Sequence, residues 1–219
     1  SSQAAMEPEL SIQTSARIQR VKPSPTLAVT ALANQLRAQG RDVIGLAAGE
    51  PDFDTPEHIK QAAIRAINAG MTKYTAVDGT AGLKQAIINK FKRDNGLDYA
   101  ADEIIVSVGG KQAIYNLLQA LLNPGDEVII PAPYWVSYPD MVMLADGEPV
   151  IVTGDMNQAF KITAEQLQGS ITGRTRLVII NSPSNPSGKA YTRDELRALA
   201  DVLLEHPDIM SQGETIEEL

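Results

Sequence analysis

The chain has 219 residues, of which 43% are hydrophobic and 21% charged, and these fractions are typical of globular proteins and exclude wholesale disorder. It contains no cysteine, which excludes a disulfide framework, a cysteine-ligated zinc site and a cysteine nucleophile. The net charge of −8 lies mostly in residues 201–219, which carry six carboxylates and no Lys or Arg, so we expect no basic surface and no nucleic-acid partner.

The first half of the chain predicts an N-terminal arm followed by three helices. Residues 1–15 are small and polar, and residues 26–38 form a helix-like segment. The next helix is predicted to open with Thr55 as its N-cap and Pro56 as its first helical residue. A third helix is predicted over 80–95, where apolar side chains recur on one face.

The second half alternates between strands and helices. Four apolar runs rich in β-branched residues predict strands buried on both faces: 104–108, 128–130, 150–152 and 177–180. The predicted helices between and after them are 111–122, 135–145, 164–168 and one opened by a capping box at Thr192 and Glu195. This alternation predicts an α/β fold of three layers, in which helices flank a parallel-rich sheet with right-handed crossovers.

The pattern changes after His206. Residues 207–219 contain no apolar run, although the preceding helix calls for another parallel strand. A sheet that ended there would have an open edge. We therefore expect an atypical acidic tail on a truncated chain, or a sheet that is completed from elsewhere.

Neither a membrane span nor a secretory signal is predicted. No apolar run approaches the roughly 20 residues that a spanning helix needs. The first 15 residues include Glu7 and Glu9 and lack the basic start and apolar core of a signal peptide. We expect a cytoplasmic protein without a membrane partner.

Candidate ligand-binding residues follow the predicted strands, because ligands of open parallel sheets bind beyond the carboxyl ends of the strands. Gly109 and Gly110, followed by Lys111, could let a phosphate approach backbone N–H groups at a helix N-terminus. An ordinary tight turn explains the two glycines equally well. The complete G-x-G-x-x-G and Walker A patterns are absent, which argues against dinucleotide binding and NTP hydrolysis.

Two later loops are also candidates. Trp135, the single tryptophan, is either a core residue or a flat surface on which a heterocycle stacks. In the loop 181–188 the amides of Asn181 and Asn185 could donate to an oxyanion or carboxylate, or the segment could be a plain Asn-Pro turn. We predict a cis peptide bond between Asn185 and Pro186.

Other candidates have equally plain explanations. Gly49 could present its N–H to a substrate carboxylate, or it could simply form a turn. The only two histidines, His58 and His206, are expected to be structural, at a helix start and a helix end.

These loops, in this order, resemble class I aminotransferases of fold type I, which depend on pyridoxal 5′-phosphate. The similarity extends from about residue 17 to 206 and is closest to bacterial aspartate aminotransferases, including those that also act on prephenate. The matching stretches are 21–26, 48–56, 72–74, 108–113, 131–139 and 181–188.

The resemblance implies roles for particular residues. For the cofactor phosphate, it implies a turn formed by Gly109, Gly110 and Lys111, where Lys111 could also meet a second carboxylate of an acidic substrate. Tyr74 would reach the phosphate of the partner subunit's cofactor across a homodimer interface. Gly49 would bind the substrate α-carboxylate through its backbone.

Three further residues acquire roles from the same resemblance. Trp135 would stack on the pyridine ring and contact substrate. Asn185 would bond to the phenolic oxygen of the cofactor and help to bind substrate. Lys22 resembles the lysine that helps the prephenate-active group to accept that dicarboxylate.

The resemblance also implies a domain organisation. Residues 1–15 would be a flexible arm, and 16–55 would contribute to a small domain and to dimer and active-site contacts. Residues 56–206 would form a partial cofactor-binding major domain, followed by the tail 207–219.

No catalytic residue is assigned. The family's Schiff-base lysine stands in a Ser-x-x-Lys context, and none of the nine lysines here follows a serine by three positions. Since that lysine is also the proton-transfer base of the family, we expect this chain to be inactive by itself.

Three hypotheses remain. The first is the N-terminal portion of a transaminase that exchanges an amino group between aspartate or glutamate and a 2-oxo acid such as oxaloacetate, 2-oxoglutarate or prephenate. The second is a catalytically dead aminotransferase-like module for binding or dimerisation. The third, a generic nucleotide-binding domain, would need a ribose contact from Asp126 or Glu127, which instead begin a predicted strand.

Overall fold

A computed structural model describes residues 12–47 and 49–214, and for 210–214 it describes the backbone alone. Most of the predicted arm 1–15 and the end of the tail therefore lie outside the described residues. The helices are α1 Ala16–Gln19, α2 Pro25–Ala38, α3 Glu57–Asn68, α4 Ala81–Lys90, α5 Gly109–Leu121, α6 Ser137–Leu144, α7 Ala164–Ser170 and α8 Arg193–Leu204. The strands are β1 Glu127–Ala132, β2 Glu148–Thr153, β3 Thr175–Asn181 and β4 Met210–Glu214.

The chain divides into two compact units. Within the described residues, the sheet unit combines 12–22 with 114–214, and the other unit is Pro23–Ala113. The boundaries predicted at 15, 55 and 206 concern the organisation of a larger protein and stay predictions.

The sheet unit has a four-stranded, fully parallel sheet in the order β2-β1-β3-β4. In its register, Val128 of β1 lies opposite Pro149 of β2 and Leu177 of β3. Parallel strands need crossover segments between them, and α6, α7 and α8 provide these. The predicted α/β class is confirmed.

Helices cover both faces of this sheet. Successive side chains of a strand point to opposite faces, so Val128 and Ile130 enter one hydrophobic cluster while Ile129 enters the other. The first cluster packs against α5 and α6, and the second packs against α7 and α8. Because β1 and β3 are buried on both sides, their continuous apolar runs are explained, and the three-layer prediction is confirmed.

The predicted helix starts are mostly correct. The Thr192 hydroxyl accepts from the backbone N–H of Glu195 at 3.2 Å, and the Glu195 carboxylate accepts from the backbone N–H of Thr192 at 2.7 Å. This reciprocal pair is the predicted capping box. A second capping box at Thr163 and Gln166 opens α7 and was not predicted.

The prediction for the start of α3 is wrong. The helix begins at Glu57, Pro56 occupies the cap position with ψ of 140°, and no side chain caps the helix. Because Pro56 is extended rather than helical, Thr55 lies one residue too far from the first unpaired N–H groups to cap them.

The strand predicted over 104–108 is also absent from the described residues. The segment has one backbone bond to a loop, from the Val106 N–H to the Asp78 carbonyl at 3.0 Å. Ile104 is buried, but Val108 is 88% exposed. A strand requires a neighbouring backbone to pair with along its length, and the described part of the chain offers this segment none.

The tail differs from its prediction in the opposite sense. Residues 210–214 lack an apolar run, yet their backbone forms β4, which pairs in parallel with β3 over Leu177–Asn181. Pairing with the exposed edge of β3 compensates for the absent hydrophobic pattern, since the backbone groups of that edge would otherwise lack partners.

The unit Pro23–Ala113 buries few of its side chains. Among its described residues only Lys84 and Ile104 are buried, and Lys84 forms an ion pair with Asp78. Large apolar side chains such as Leu46 and Phe53 are about nine-tenths exposed. Large exposed apolar patches mark contact surfaces for protein or membrane, or ligand-binding grooves.

Gly154 provides a stability prediction, because a Cβ there would lie 2.6 Å from the backbone of Lys161. The Gly154 N–H also donates to the Ala132 carbonyl at 2.8 Å, which fixes its position beyond β1. We expect Gly154→Ala to lower the free energy of unfolding by about 1–3 kcal/mol through overpacking, as measured by urea denaturation. Gly169→Ala is the matched control, since Gly169 lies inside α7 with open space around its Cβ position. This substitution should raise the free energy of unfolding by about 0.5–1 kcal/mol. Equal effects of the two substitutions would contradict this packing explanation.

Candidate functional site

The loops that follow β1 and β3 line a common pocket at the carboxyl ends of these adjacent strands. Tyr134 contributes from the first loop, Asn185 contributes from the second, and Asn181 contributes as the last residue of β3. The pocket has a volume of about 20 Å³, which admits little more than a water molecule. A larger planar ligand would therefore lie against the mouth of this pocket, where the side chains of both loops converge.

Trp135 follows Tyr134 and lies just before α6. It is half-buried, and its ring makes an edge-to-face contact with Tyr138 at 5.4 Å between centroids and 87° between planes. Tyr138 is itself buried and lines the pocket. Trp135 thus packs against the core cluster while remaining partly accessible, so its two sequence interpretations are compatible.

The loop after β3, here called the Asn185 loop and comprising 182–191, is held by hydrogen bonds of its own. The Asn185 N–H donates to Asn181 Oδ1 at 2.7 Å, and the Tyr191 N–H donates to Ser182 Oγ at 3.0 Å and joins the two ends of the loop. The predicted cis peptide bond before Pro186 is confirmed. The Asn185 side chain is exposed, so its amide is available to a ligand in a loop of fixed shape.

Lys161 and Ile162, which the sequence analysis did not single out, contact this loop from outside. Lys161 Nζ lies 2.8 Å from a carboxylate oxygen of Glu195 and donates to the Ala190 carbonyl at 3.2 Å. The Tyr191 hydroxyl accepts from the Ile162 N–H at 3.0 Å. These contacts join the segment before α7, the Asn185 loop and the start of α8.

The electrostatics of this cluster favour the charged Glu195. The hydrogen bond from Lys161 is the main cause that lowers the pKa of the Glu195 carboxyl, and the Thr192 N–H adds to it. Burial is the main cause that raises the pKa of Tyr191 above its usual value, so this tyrosine stays protonated near neutral pH.

In the unit Pro23–Ala113, the glycine turn has the backbone that its sequence suggests. Gly109 has φ of +77°, a left-handed conformation that favours glycine. Apart from its chain neighbours and the backbone of its own helix, no described atom lies within 4 Å of the position that its Cβ would take. Its N–H donates to the Ser107 carbonyl at 3.0 Å, and the Val108 N–H donates to Gln112 Oε1. Gly110 and Lys111 follow within the first turn of α5.

Gly49 and Tyr74 lie in irregular segments of the same unit. Gly49 is exposed with open space around its Cβ position, and Tyr74 is fully exposed. Glu50, next to Gly49, lines an apolar groove of about 480 Å³ between α2 and residues 43–47. The roles that the resemblance implies for Gly49 and Tyr74 stay predictions.

Lys22 is exposed at the end of a segment that is anchored to the sheet unit. Arg20 donates to Asp146 Oδ1 at 2.8 Å and to the Met143 carbonyl at 3.0 Å, at the C-terminal end of α6. The bond from Arg20 is the main cause that lowers the pKa of Asp146. Arg20 therefore attaches the segment that carries Lys22 to the sheet unit.

One of the two acidic residues named for the nucleotide-binding hypothesis, Glu127, is already engaged. The Glu127 carboxylate is buried and accepts hydrogen bonds from the Thr172 hydroxyl and from Arg174. The bond from Thr172 is the main cause that lowers the pKa of Glu127. Moreover, Glu127 begins β1, at the end of the strand opposite to the candidate loops.

In residues 12–47 and 49–209, whose side chains the structure describes, no three His, Asp or Glu side chains cluster as metal ligands. None of the helices in this part of the chain combines the length and apolar character that crossing a bilayer demands.

Curated proteins similar to this chain include two named aminotransferases. The aspartate/prephenate aminotransferase of Nitrosomonas europaea is 61% identical over 196 residues, which are 90% of this chain and 49% of that protein. The aspartate aminotransferase of Bacillus sp. strain YM-2 is 56% identical, and the match covers 93% of this chain and 52% of that protein. The chain thus spans about half the length of the curated relatives it matches.

Solved structures and a family profile agree with these relatives. An aspartate aminotransferase from Rhizobium meliloti is similar with a TM-score of 0.89 and 51% identity, covering 93% of this chain and 51% of that one. Aspartate aminotransferase from Thermus thermophilus with maleate has a TM-score of 0.90 and 48% identity, covering 94% and 54%. The profile of aminotransferase class I and II matches residues 41–210. The chain therefore belongs to the class I and II aminotransferase family.

Proposed function

We propose that the protein containing this chain is a pyridoxal-phosphate-dependent transaminase. Its substrates would be an acidic amino acid, aspartate or glutamate, and a 2-oxo acid such as oxaloacetate, 2-oxoglutarate or prephenate. The observation that carries the proposal is the pocket shared by the loops after β1 and β3, in a chain of this family. The names of the relatives support the substrate class.

The residues of the sheet unit fit a planar pyridine derivative. We assign ring stacking to the half-buried Trp135 and a hydrogen bond to the phenolic oxygen to the exposed amide of Asn185. Both side chains belong to loops that begin at the carboxyl ends of adjacent strands, where such ligands bind. Bound there, the cofactor supplies an electron sink for chemistry at the substrate α-carbon.

The glycine turn fits a phosphate group. A phosphate can approach a backbone closely only where side chains leave room, and the open space at Gly109 meets this requirement. The start of α5 adds the positive end of a helix dipole, and the Lys111 ammonium adds a full charge. We assign phosphate binding to Gly109, Gly110 and Lys111.

The remaining assignments concern substrate and assembly. We propose that Gly49 binds the α-carboxylate and that Lys22 helps to accept a second carboxylate. Tyr74 would reach the phosphate of the partner subunit's cofactor in a cytoplasmic homodimer. The exposed apolar side chains of the unit Pro23–Ala113, such as Leu46 and Phe53, support an assembled state in which other protein covers them.

Pyridoxine 5′-phosphate tests the proposal on this chain directly. Since it carries an alcohol where the cofactor has an aldehyde, it cannot react with lysines, and it absorbs where Trp135 emits. We expect saturable quenching of the Trp135 fluorescence with a Kd below about 1 mM. Pyridoxine without phosphate should bind at least about tenfold more weakly, because it lacks the charged hydrogen-bond acceptor.

Variants of the turn sharpen this experiment. Gly109→Ala places a Cβ at positive φ, which costs about 1–2 kcal/mol, so affinity for the phosphorylated ligand should fall about tenfold. Gly82→Ala, at a position of α4 with open space and no positive φ, should leave the Kd unchanged. Absence of saturable quenching in the unsubstituted chain would overturn the proposed function, and equal binding of both ligands would overturn the assignment of the turn.

A further inference from the structure

Lys161 is a partly buried charge for which the proposed function gives no use. Its side chain is only 16% exposed, and its ammonium group is within hydrogen-bond distance of both carboxylate oxygens of Glu195, at 2.8 and 3.0 Å. Burying an ammonium group costs free energy that an ion pair often does not recover, so such a pair is weak evidence for a stabilising role. The third donor of this ammonium reaches the Asn185 loop at the Ala190 carbonyl.

The backbone of Lys161 is fixed independently of its side chain. It packs against Gly154, whose N–H donates to the Ala132 carbonyl at the end of β1. The neighbouring Ile162 N–H donates to the Tyr191 hydroxyl at 3.0 Å. The backbone of Lys161 is therefore held near the ends of β1 and β2, while its side chain contacts the loop that follows β3.

Movement of Ala190 would be transmitted to Asn185 through the loop's own hydrogen bonds. The next residue, Tyr191, donates its N–H to Ser182 Oγ at 3.0 Å. The Ser184 N–H donates to the Lys189 carbonyl at 2.9 Å and so joins the two arms of the loop. Lys161 and Asn185 line the same pocket.

We infer that Lys161 is a positioning residue for cofactor binding, which holds the Asn185 loop through the Ala190 carbonyl so that the Asn185 amide meets the ligand. This inference rests on the proposed function. A purely structural role would predict a loss of stability when the ammonium is removed. We expect little loss, because Ala190 is exposed and the Glu195 side chain is 43% exposed, so water can replace the lost contacts of both groups.

The test measures the Kd of pyridoxine 5′-phosphate by Trp135 fluorescence and, in parallel, the urea midpoint of unfolding. Lys161→Met keeps all but the terminal atom of the side-chain length and removes the charge and its donors. We expect the Kd to rise about fivefold, which corresponds to the net free energy of one hydrogen bond. The urea midpoint should stay close to that of the unsubstituted chain. Lys161→Arg keeps a charged donor and should restore the Kd to within about twofold.

Two controls distinguish this role from general effects of charge. Lys92→Met removes the Lys92 ammonium from its ion pair with Asp98, and both of these side chains are exposed, so it should leave the Kd unchanged. In an Asn185→Ala background, Lys161→Met should have no further effect on the Kd, because the group it positions is gone.

The outcomes separate the two proposals. If the unsubstituted chain does not bind the ligand, the proposed function fails, and this inference fails with it. If it binds but Lys161→Met leaves the Kd unchanged, or adds its full effect to Asn185→Ala, the proposed function stands and the positioning role is overturned. A fall in the urea midpoint that accounts for the lost binding would also overturn it, in favour of a structural role.

Discussion

Replacing Leu118 by alanine should destabilise the sheet unit by about 2–5 kcal/mol, the usual range for a buried leucine. Leu118 is completely inaccessible and lies on α5 in the cluster that contains Val128 and Ile130 of β1. Truncation removes the transfer free energy of the lost methyl groups and leaves a cavity beneath a central strand, which the surrounding layers cannot fill completely. Urea denaturation followed by far-ultraviolet circular dichroism measures the change.

Leu204 provides the matched control for this prediction. It is also a helical leucine, at the end of α8, but it is 72% exposed. Leu204→Ala should therefore change the free energy of unfolding by no more than about 0.5 kcal/mol. A loss below about 1 kcal/mol for Leu118→Ala would show that the cluster around β1 is not a close-packed core.

The central strands could be predicted because their sequence and their environment agree. β1 and β3 are covered by helices on both faces, and a strand in that environment needs apolar side chains in both directions. The runs at 128–130 and 177–180 meet this requirement, and they lie within the observed strands. The capping box at Thr192 was predictable for a similar reason, since it depends only on residues three apart.

The predicted strand that is absent and the observed strand that was not predicted have one physical cause. The segment 104–108 has the composition of a strand but no backbone partner along its length in the described part of the chain. The segment 210–214 lacks that composition but pairs with the open edge of β3. Strand formation depends on pairing between distant segments, which a pattern within one segment does not encode.

The loops of the candidate site could be predicted from the sequence, but the contacts that hold them could not. Trp135 and Asn185 follow recognisable strands, so their location could be inferred from the chain order. Lys161 is distant from both in sequence, and a single lysine before a short helix has no distinctive pattern. Its importance becomes visible only through contacts with Ala190 and Glu195, about 30 residues later in the chain.

Asn185→Ala should weaken binding of pyridoxine 5′-phosphate by about tenfold or more. The proposed bond from the Asn185 amide to an anionic phenolic oxygen is charge-assisted, and such bonds contribute about 1.5–3 kcal/mol. The substitution leaves the backbone N–H that donates to Asn181 Oδ1, so the shape of the loop should be retained. Titration of the Trp135 fluorescence measures the change in Kd directly.

Asn185→Asp distinguishes a hydrogen-bond donor from a simple space-filling contact. Aspartate has nearly the same shape as asparagine, but its ionised carboxylate only accepts hydrogen bonds and repels an anionic oxygen. It should therefore reduce affinity more than alanine does, and the difference should shrink at acidic pH, where the aspartate becomes protonated. Asn157→Ala, at an exposed position of the same unit, is the control that should bind normally. If Asn185→Asp binds as well as the unsubstituted chain, the side chain of Asn185 does not donate to the ligand, and its assignment must be given up.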